Sequence, residues 1–240
     1  MTKIVAIIPA RYKSTRFPGK MLAQINGKTL IKHVYDRVME MNLFTSVHIA
    51  TDDVRIQEEL QKFKVKVIMT SQEHHTGTDR IIEALDLLNL EYDYVVNVQG
   101  DEALISKLQL APLQNTLIQE QEDIVSLMVE NHNFEDYTDS NCVKVVVDQQ
   151  SRALYFSRSP IPFVRSQVNI YFYQHLGVYA FSKNTIHQIK NLAPTRNEKL
   201  EKLEQLRWLD HGMKIRMVKV KGRLIGIDTE EDMNLIQGLL

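Results

Sequence analysis

Short runs of β-branched and aliphatic residues alternate along this chain with segments of helical periodicity. We expect strands at residues 3–8, 46–50, 65–69, 93–98, 124–129, 142–148, 152–156, 175–181 and 213–220. Between the strands, apolar residues recur at helical spacing: Leu30, Val34, Val38 and Met41, then Ile81, Leu85 and Leu88. The alternation predicts an α/β fold, a mostly parallel twisted sheet in three layers with helices on both faces.

Composition restricts the organisation and the partners of this fold. The sequence has no internal repeat, low-complexity tract or Gly/Ser linker, so we expect one domain over residues 1–240. The formal net charge of −1 argues against a nucleic-acid partner. The one cysteine, Cys142, cannot form an internal disulfide and is expected to be a small buried residue. No apolar stretch is long enough for a signal core or a bilayer span, which predicts a cytoplasmic protein without membrane insertion.

A basic loop follows directly on the first apolar run. This loop, PARYKSTRFPGK, carries four cations and no acid: Arg11, Lys13, Arg16 and Lys20. In α/β proteins, ligands collect beyond the carboxyl ends of such strands. Gly19 permits a close approach of backbone N–H groups to phosphate oxygens, while Arg16 and Lys20 supply a forked and a point-like cation. The loop matches neither the P-loop nor the dinucleotide pattern, so the sequence predicts another kind of triphosphate site.

Two aspartates are candidate ligands for a divalent cation. Asp101 follows the apolar run Tyr94 to Val98, so its carboxylate is expected at the carboxyl end of a strand, near the basic loop. Asp228 lies in a Gly-Ile-Asp-Thr turn. Magnesium binds through one or two carboxylates together with phosphates and water, which these residues would satisfy. The alternative for Asp228 is an N-cap of the last helix, where Thr229 would serve equally well.

Six ordered motifs, together with the basic loop, resemble one enzyme family. The loop is similar to the signature loop of sugar-activating nucleotidyltransferases. The other motifs are TGTDR from Thr76, VNVQGDE from Val96, LYFSRSPIPF from Leu154, HLGVYAF from His175, LEKLEQLRWL from Leu200 and GIDTEEDM from Gly226. From residue 3 almost to the C-terminus, the chain resembles the CMP-KDO synthetase family, the 3-deoxy-manno-octulosonate (KDO) cytidylyltransferases.

The resemblance implies a fold, an activity and an assembly. The fold would be that of the nucleotide-diphospho-sugar transferases. The activity would be transfer of CMP from CTP to the anomeric hydroxyl of the acidic keto-sugar KDO, with Mg²⁺, giving CMP-KDO and pyrophosphate for lipopolysaccharide or capsule synthesis. An arm from about residue 157 to 208 would close over the sugar and help build a homodimer. That arm is rich in apolar residues, as a dimer would require: Ile161, Phe163, Ile170, Tyr171 and Phe172.

The resemblance also assigns site residues. The nucleotide would contact Ala10, Arg11, Ser14, Thr15, Arg16, Lys20, Thr76, Gly77, Asp79 and Arg80. The sugar would contact Gln99, Arg158, His175, Tyr179, Glu204 and Gln205. The catalytic set would be Arg11, Arg16, Lys20 and Asp101, and the resemblance favours Asp228 as the second metal ligand.

The residues themselves add detail to the sugar set. His175 and Tyr179 are four apart on one strand and should share a face. Arg158 offers the bidentate geometry that a sugar carboxylate prefers. Glu204 and Gln205 are expected on a helix whose residues Leu200, Leu203 and Leu206 face the core; an ordinary solvated face is the alternative for the two polar residues.

The sequence leaves open the identity of the sugar and the class of function. Met21 and Ala103 stand where the family commonly has prolines, which loosens two loops without removing a functional group. The 8-amino form of KDO, or another acidic sugar such as a sialic acid, is an alternative substrate. A nucleotide-binding regulator without catalysis is the alternative of a different class, and the presence of Asp101 and Asp228 argues against it.

Overall fold

The computed structural model describes residues 2–14, 17–74, 76–165, 171–222, 226–227 and 229–239. It contains two compact units. The first comprises Met1–Leu110 with Leu224–Leu240, and the second is Ala111–Arg223. The segment 157–208, predicted as an arm, falls within the second unit.

The first unit is built on a parallel sheet. Its elements up to residue 97 are β1 (Ile4–Ala10), β2 (Gln24–Ile25), β3 (Lys28–Thr29), α1 (Leu30–Glu40), β4 (Ser46–Thr51), α2 (Val54–Gln61), β5 (Val67–Met69), α3 (Gly77–Leu88) and β6 (Tyr94–Asn97). Strand β1 pairs in parallel with both β4 and β6, and β4 pairs in parallel with β5. All seven residues of β1 are buried, because helices cover a parallel sheet on both faces. The loops that follow β1 and β6 leave the sheet at the same edge.

The second unit has mixed strand pairing. From α4, which starts in the first unit, the elements are α4 (Lys107–Glu120), β7 (Ile124–Asn131), α5 (Phe134–Thr138), β8 (Lys144–Val147), β9 (Ala153–Ser157), β10 (Phe172–Ser182), α6 (Lys183–Ile189), α7 (Arg196–Glu201), α8 (Gln205–Asp210), β11 (Arg216–Lys219) and, back in the first unit, α9 (Glu230–Gln237). Strand β10 is antiparallel to β7 and to β8, and β8 is antiparallel to β9. Strand β11 runs parallel to β7.

The predicted fold class is confirmed. Each of the nine predicted strands is present, and the sheet is mixed and mostly parallel in a three-layer α/β arrangement. The predicted stripe of α1 is also confirmed, since Leu30, Val34 and Val38 are buried. Cys142 is buried as expected and packs with Tyr137 and Phe172.

One helical stripe was predicted wrongly. Leu203 and Leu206 are buried, but Leu200 is 70% exposed. The reason is that the expected single helix is two short helices, α7 and α8. They are separated at Lys202, which has the left-handed φ of 52° that ends α7. The spacing from Leu200 to Leu206 therefore does not follow one helix face.

Candidate active site

The basic loop after β1 is closed by contacts of its own. Gly19 has a φ of 76°, and its N–H donates to the carbonyl of Tyr12 at 3.0 Å. A side chain at Gly19 would meet the Tyr12 hydroxyl at 3.0 Å, so the two ends of the loop are in contact. The guanidinium of Arg55 lies 3.3 Å from the centre of the Tyr12 ring. Tyr12 is thus held between the loop and α2, a bracing contact that the sequence did not indicate.

Lys20, at the end of the loop, pairs with Asp101. Its Nζ atom lies 2.6 Å from Oδ2 of Asp101 and donates to the carbonyl of Ile227 at 2.8 Å. Lys20 is buried, whereas the side chain of Asp101 is 26% exposed. The structure therefore confirms that the loops after β1 and β6 meet, as expected for segments that follow the carboxyl ends of parallel strands. It also shows that the lysine and the carboxylate bind each other.

Close packing fixes the turn that carries Asp101. A side chain at Gly100 would lie 2.8 Å from the backbone oxygen of Pro9, a distance that real Cβ atoms do not adopt. The backbone N–H of Ile227 donates to the carbonyl of Asp101 at 3.1 Å. The carboxylate is therefore held at the edge of the sheet by the backbone on both sides of it.

The TGTDR motif forms the start of α3. The Thr76 hydroxyl accepts from the N–H of Asp79 at 3.1 Å, and the Asp79 carboxylate accepts from the N–H of Thr76 at 3.3 Å. This reciprocal pair is a capping box. Arg80 is buried and donates to Asp52 at 2.9 Å and to the Thr70 hydroxyl at 2.6 Å. Thus Thr76 and Asp79, both assigned to the nucleotide, stabilise the helix start, and Arg80 is paired within the protein. A Cβ atom at Gly77 would lie 3.6 Å from Pro9, in ordinary van der Waals contact.

The second unit brings His175 and Tyr179 together, as their spacing predicts. Their ring centres are 5.3 Å apart, and the rings of Phe156 and His175 meet edge to face at 4.9 Å. The pairing of β10 with β7 shifts register between Leu176 and Tyr179, so the strand is irregular where the two rings meet. Burial lowers the pKa of His175 to about 3, because the cation would be desolvated. The imidazole is therefore neutral at ordinary pH.

Ser126 determines the tautomer of His175. The Ser126 hydroxyl donates to the carbonyl of Val178 at 2.9 Å, and its oxygen lies 2.9 Å from Nε2 of His175. A hydroxyl that donates elsewhere accepts here, so we assign the proton of His175 to Nε2. The Nδ1 atom then carries the lone pair and can accept a hydrogen bond. Sequence analysis missed Ser126, which is an unremarkable residue within strand β7.

Around Tyr179 lies a set of aromatic and polar side chains. The rings of Tyr179 and Trp208 meet edge to face at 5.0 Å. Burial, followed by the negative charge of Glu204, raises the pKa of Tyr179. Gln205 is 2% exposed, and its side-chain nitrogen has no acceptor within the described part of the chain. A buried donor without an acceptor is costly, as is expected for a group that awaits a ligand oxygen.

Arg158 is anchored by the protein itself. Its Nε atom donates to the carbonyl of Glu201 at 2.8 Å, and one terminal nitrogen donates to the carbonyl of Ser140 at 2.9 Å. The Glu201 carboxylate accepts from the hydroxyl of Ser157 and from the backbone of Arg158. Two guanidinium nitrogens therefore donate to backbone carbonyls. Bidentate binding of a carboxylate needs two nitrogens, so Arg158 is poorly placed for it. Sequence analysis missed the role of Glu201.

The other described residues of the predicted site lie at the end of β1 and in the segments that follow β1 and β6. Ala10 ends β1 and is buried, Arg11 is exposed, Ser14 accepts from the N–H of Phe17 at 3.4 Å, and Gln99 is half-buried in the first unit. Thr15, Arg16 and Asp228 lie outside the described residues. Within the described ranges, no three side chains of His, Cys, Asp or Glu are grouped as a metal cluster. None of the described helices combines the length and hydropathy that a membrane-spanning segment needs.

Comparison with solved structures identifies the class of protein. A structure of CMP:2-keto-3-deoxy-manno-octonic acid synthetase in complex with CTP superimposes with a TM-score of 0.92 at 36% identity, covering 99% of this chain and 98% of that one. A 4-diphosphocytidyl-2C-methyl-D-erythritol synthase from Anaerococcus prevotii shares the fold alone, with a TM-score of 0.67 at 15% identity. The fold is that of a nucleotidyltransferase.

Sequence comparison narrows the class to a family. Residues 5–215 match the family model for cytidylyltransferases. A 3-deoxy-manno-octulosonate cytidylyltransferase from Christiangramia forsetii is 42% identical, over 99% of this chain and 97% of the relative. One of the same name from Cytophaga hutchinsonii is 44% identical, over 96% of this chain and 94% of the relative. The chain therefore belongs to the cytidylyltransferase family, and it is an enzyme.

Proposed function

We propose that this enzyme transfers CMP from CTP to the anomeric hydroxyl of KDO, giving CMP-KDO and pyrophosphate. Relatives of that name match nearly the whole chain, and the similar solved structure is a complex with CTP. The observation that carries the proposal is the paired cation and carboxylate, Lys20 and Asp101, beyond the ends of β1 and β6. A triphosphate needs cations at its leaving group, and a metal that bridges it needs an oxygen ligand.

The reaction is a single displacement at phosphorus. The anomeric oxygen forms a bond to the α-phosphorus of CTP while the bond from that phosphorus to the bridging oxygen breaks. The hydroxyl proton passes to solvent, and pyrophosphate leaves toward Arg16 and Lys20. No covalent enzyme intermediate is needed, so the contribution of the protein is positioning and charge stabilisation.

We propose Mg²⁺ as the divalent cation, held by Asp101 and Asp228. When bound, it would polarise the α-phosphate and neutralise charge on the leaving group. The fit rests on Asp101, whose partly exposed carboxylate already binds one cation, the ammonium of Lys20. A single such carboxylate in the described chain fits magnesium, which takes few protein ligands and completes its shell with phosphates and water.

The second unit supplies groups for the sugar. Neutral His175 offers an acceptor at Nδ1, Gln205 offers an unsatisfied donor, and Glu204 lies close enough to Tyr179 to raise its pKa. A polyhydroxylated sugar needs such a mixture of donors and acceptors. Gln99, in the first unit, remains a proposed contact. Arg158 would contact the sugar through its remaining guanidinium nitrogen rather than through a bidentate pair.

We further propose a single cytidylyltransferase domain, located in the cytoplasm, that forms a homodimer and supplies lipopolysaccharide or capsule synthesis. Among the described side chains, Phe163 at 86% exposure and Tyr171 at 52% support the dimer, whereas Ile161 is half-buried. Phe172 is buried against Tyr137, so its expected exposure was wrong. Ile170 lies outside the described residues.

Product formation tests the reaction directly. The enzyme is incubated with CTP, Mg²⁺ and KDO, and CMP-KDO is detected together with an equal amount of pyrophosphate. Parallel reactions with 8-amino-KDO and with a sialic acid compare the alternative sugars. Faster turnover of either alternative would replace KDO as the proposed substrate.

A further inference from the structure

The ion pair between Lys20 and Asp101 bears on how a divalent cation reaches its site. We infer that the ammonium of Lys20 occupies the cation site of Asp101 until the nucleotide arrives, and that this occupancy keeps free divalent cations from binding there. The inference rests on the proposed function, because it takes Asp101 as the metal ligand and the triphosphate as the later partner of Lys20.

The geometry of the ammonium is that of a bound cation. Nζ of Lys20 lies 2.6 Å from Oδ2 of Asp101, within the short range of charge-assisted hydrogen bonds. The carbonyl of Ile227 accepts a second hydrogen bond at 2.8 Å, so a carboxylate and a carbonyl oxygen coordinate the ammonium. Hard oxygen atoms of this kind are also the ligands that Mg²⁺ takes.

The position of the pair is fixed by the backbone. Lys20 begins a short 3-10 helix, Lys20–Leu22, directly after the left-handed Gly19. A side chain at Gly100 would lie 3.3 Å from the end of Met21 in that helix and 2.8 Å from the Pro9 oxygen. The turn that carries Asp101 and the helix that carries Lys20 are therefore packed together. The lysine is therefore held beside the carboxylate by the backbone of both segments.

Two cations on one carboxylate oppose each other strongly here. Lys20 is 6% exposed, so solvent and salt screen its charge weakly. A divalent cation on Asp101 would lie within a few ångströms of the ammonium and be repelled by it. A triphosphate changes this balance, because its oxygens offer the ammonium another anionic partner and bring charge that favours the metal. Metal and nucleotide should therefore bind together rather than metal first.

The test measures binding of Mn²⁺ without CTP or sugar, by the electron paramagnetic resonance signal of free Mn²⁺. Wild-type protein should bind Mn²⁺ weakly at this site. Lys20→Met should bind at least about tenfold more tightly, because the competing charge is gone. Lys20→Gln, which can still donate to the Ile227 carbonyl, should behave like Lys20→Met. Circular dichroism establishes that each variant is folded.

A matched control tests whether removing the lysine partner of any carboxylate raises the affinity for Mn²⁺. Lys62 pairs with Glu59 at 2.6 Å, and Lys62→Met should leave Mn²⁺ binding as in the wild type. Adding Asp101→Asn to Lys20→Met should abolish the gain. Unchanged Mn²⁺ affinity in both Lys20 variants, or a gain that survives Asp101→Asn, would overturn the inference. Failure of the wild type to form CMP-KDO would instead contradict the proposed function and leave the Mn²⁺ result standing.

Discussion

The Nε2 atom of His175 on β10 lies 2.9 Å from the hydroxyl of Ser126 on β7, and both side chains are buried from water. Burial lowers the pKa of His175 to about 3, whereas an exposed histidine has a pKa of about 6.5. Between these values the unfolded chain binds a proton that the folded chain does not, so stability falls as the pH falls. The contribution should approach about 1.4 kcal/mol per pH unit.

Urea unfolding of wild type and His175→Asn from about pH 7 downward measures this contribution. The difference in unfolding free energy between them should shrink as the pH falls. His211→Asn, at an exposed histidine, is the control and should follow the wild type. Parallel pH profiles for wild type and His175→Asn would contradict the assigned burial and neutrality of the imidazole.

Gly100→Ala should destabilise the enzyme and lower its activity. The added methyl group would lie 2.8 Å from the Pro9 oxygen, so the turn that carries Asp101 must shift. Overpacking of this kind costs about 1–3 kcal/mol. Gly238→Ala is the control, since its nearest neighbour is 4.0 Å away, and it should be nearly neutral. Equal urea midpoints for the two variants would show that the turn accommodates a side chain.

Much of the fold was predictable because apolar patterns report burial locally. Nine strands followed from β-branched runs. The hairpin of β2 and β3 was missed, although Asn26-Gly27 is a strong signal for such a turn, and both residues have positive φ. Its strands are only two residues long, which is too short for a periodic pattern. The break at Lys202 was unpredictable because a left-handed lysine has no strong local signature.

The site was predictable as a set of residues but not as a set of contacts. Thr76 and Asp79 form a capping box, a signal that the sequence contains and that the family resemblance obscured. The pairing of Lys20 with Asp101 joins residues 81 positions apart, which no local pattern specifies. The anchoring of Arg158 by Glu201 depends on the same kind of long-range packing.

Arg80→Met should act mainly on stability. Arg80 and Asp52 form a buried pair, and removal of one partner leaves the other charge uncompensated, at a cost of about 3–5 kcal/mol. Lys62→Met breaks a surface pair with Glu59 and should be nearly neutral. Urea unfolding compares the two. An Arg80→Met enzyme with native stability and a raised KM for CTP would place Arg80 in nucleotide binding instead.

Phe163→Ser should weaken the proposed homodimer. Phe163 is 86% exposed, and burial against a second copy would remove its ring from water. Sedimentation equilibrium at micromolar concentration should show a dimer for the wild type and a shift toward monomer for the variant. Leu87→Ser, at an exposed residue of α3, should leave the dimer unchanged. A monomeric wild type would refute the dimer.

The central claim is that this enzyme transfers CMP to KDO with Asp101 in the reaction centre. The most direct measurement is the rate of CMP-KDO formation from CTP, KDO and Mg²⁺ for wild type and Asp101→Asn, alongside the melting temperature. The wild type should turn over. The variant, which removes charge at nearly constant volume, should lose at least about a hundredfold in kcat and remain folded. A folded Asp101→Asn enzyme with wild-type kinetics, or a wild type that forms no CMP-KDO, would contradict the claim.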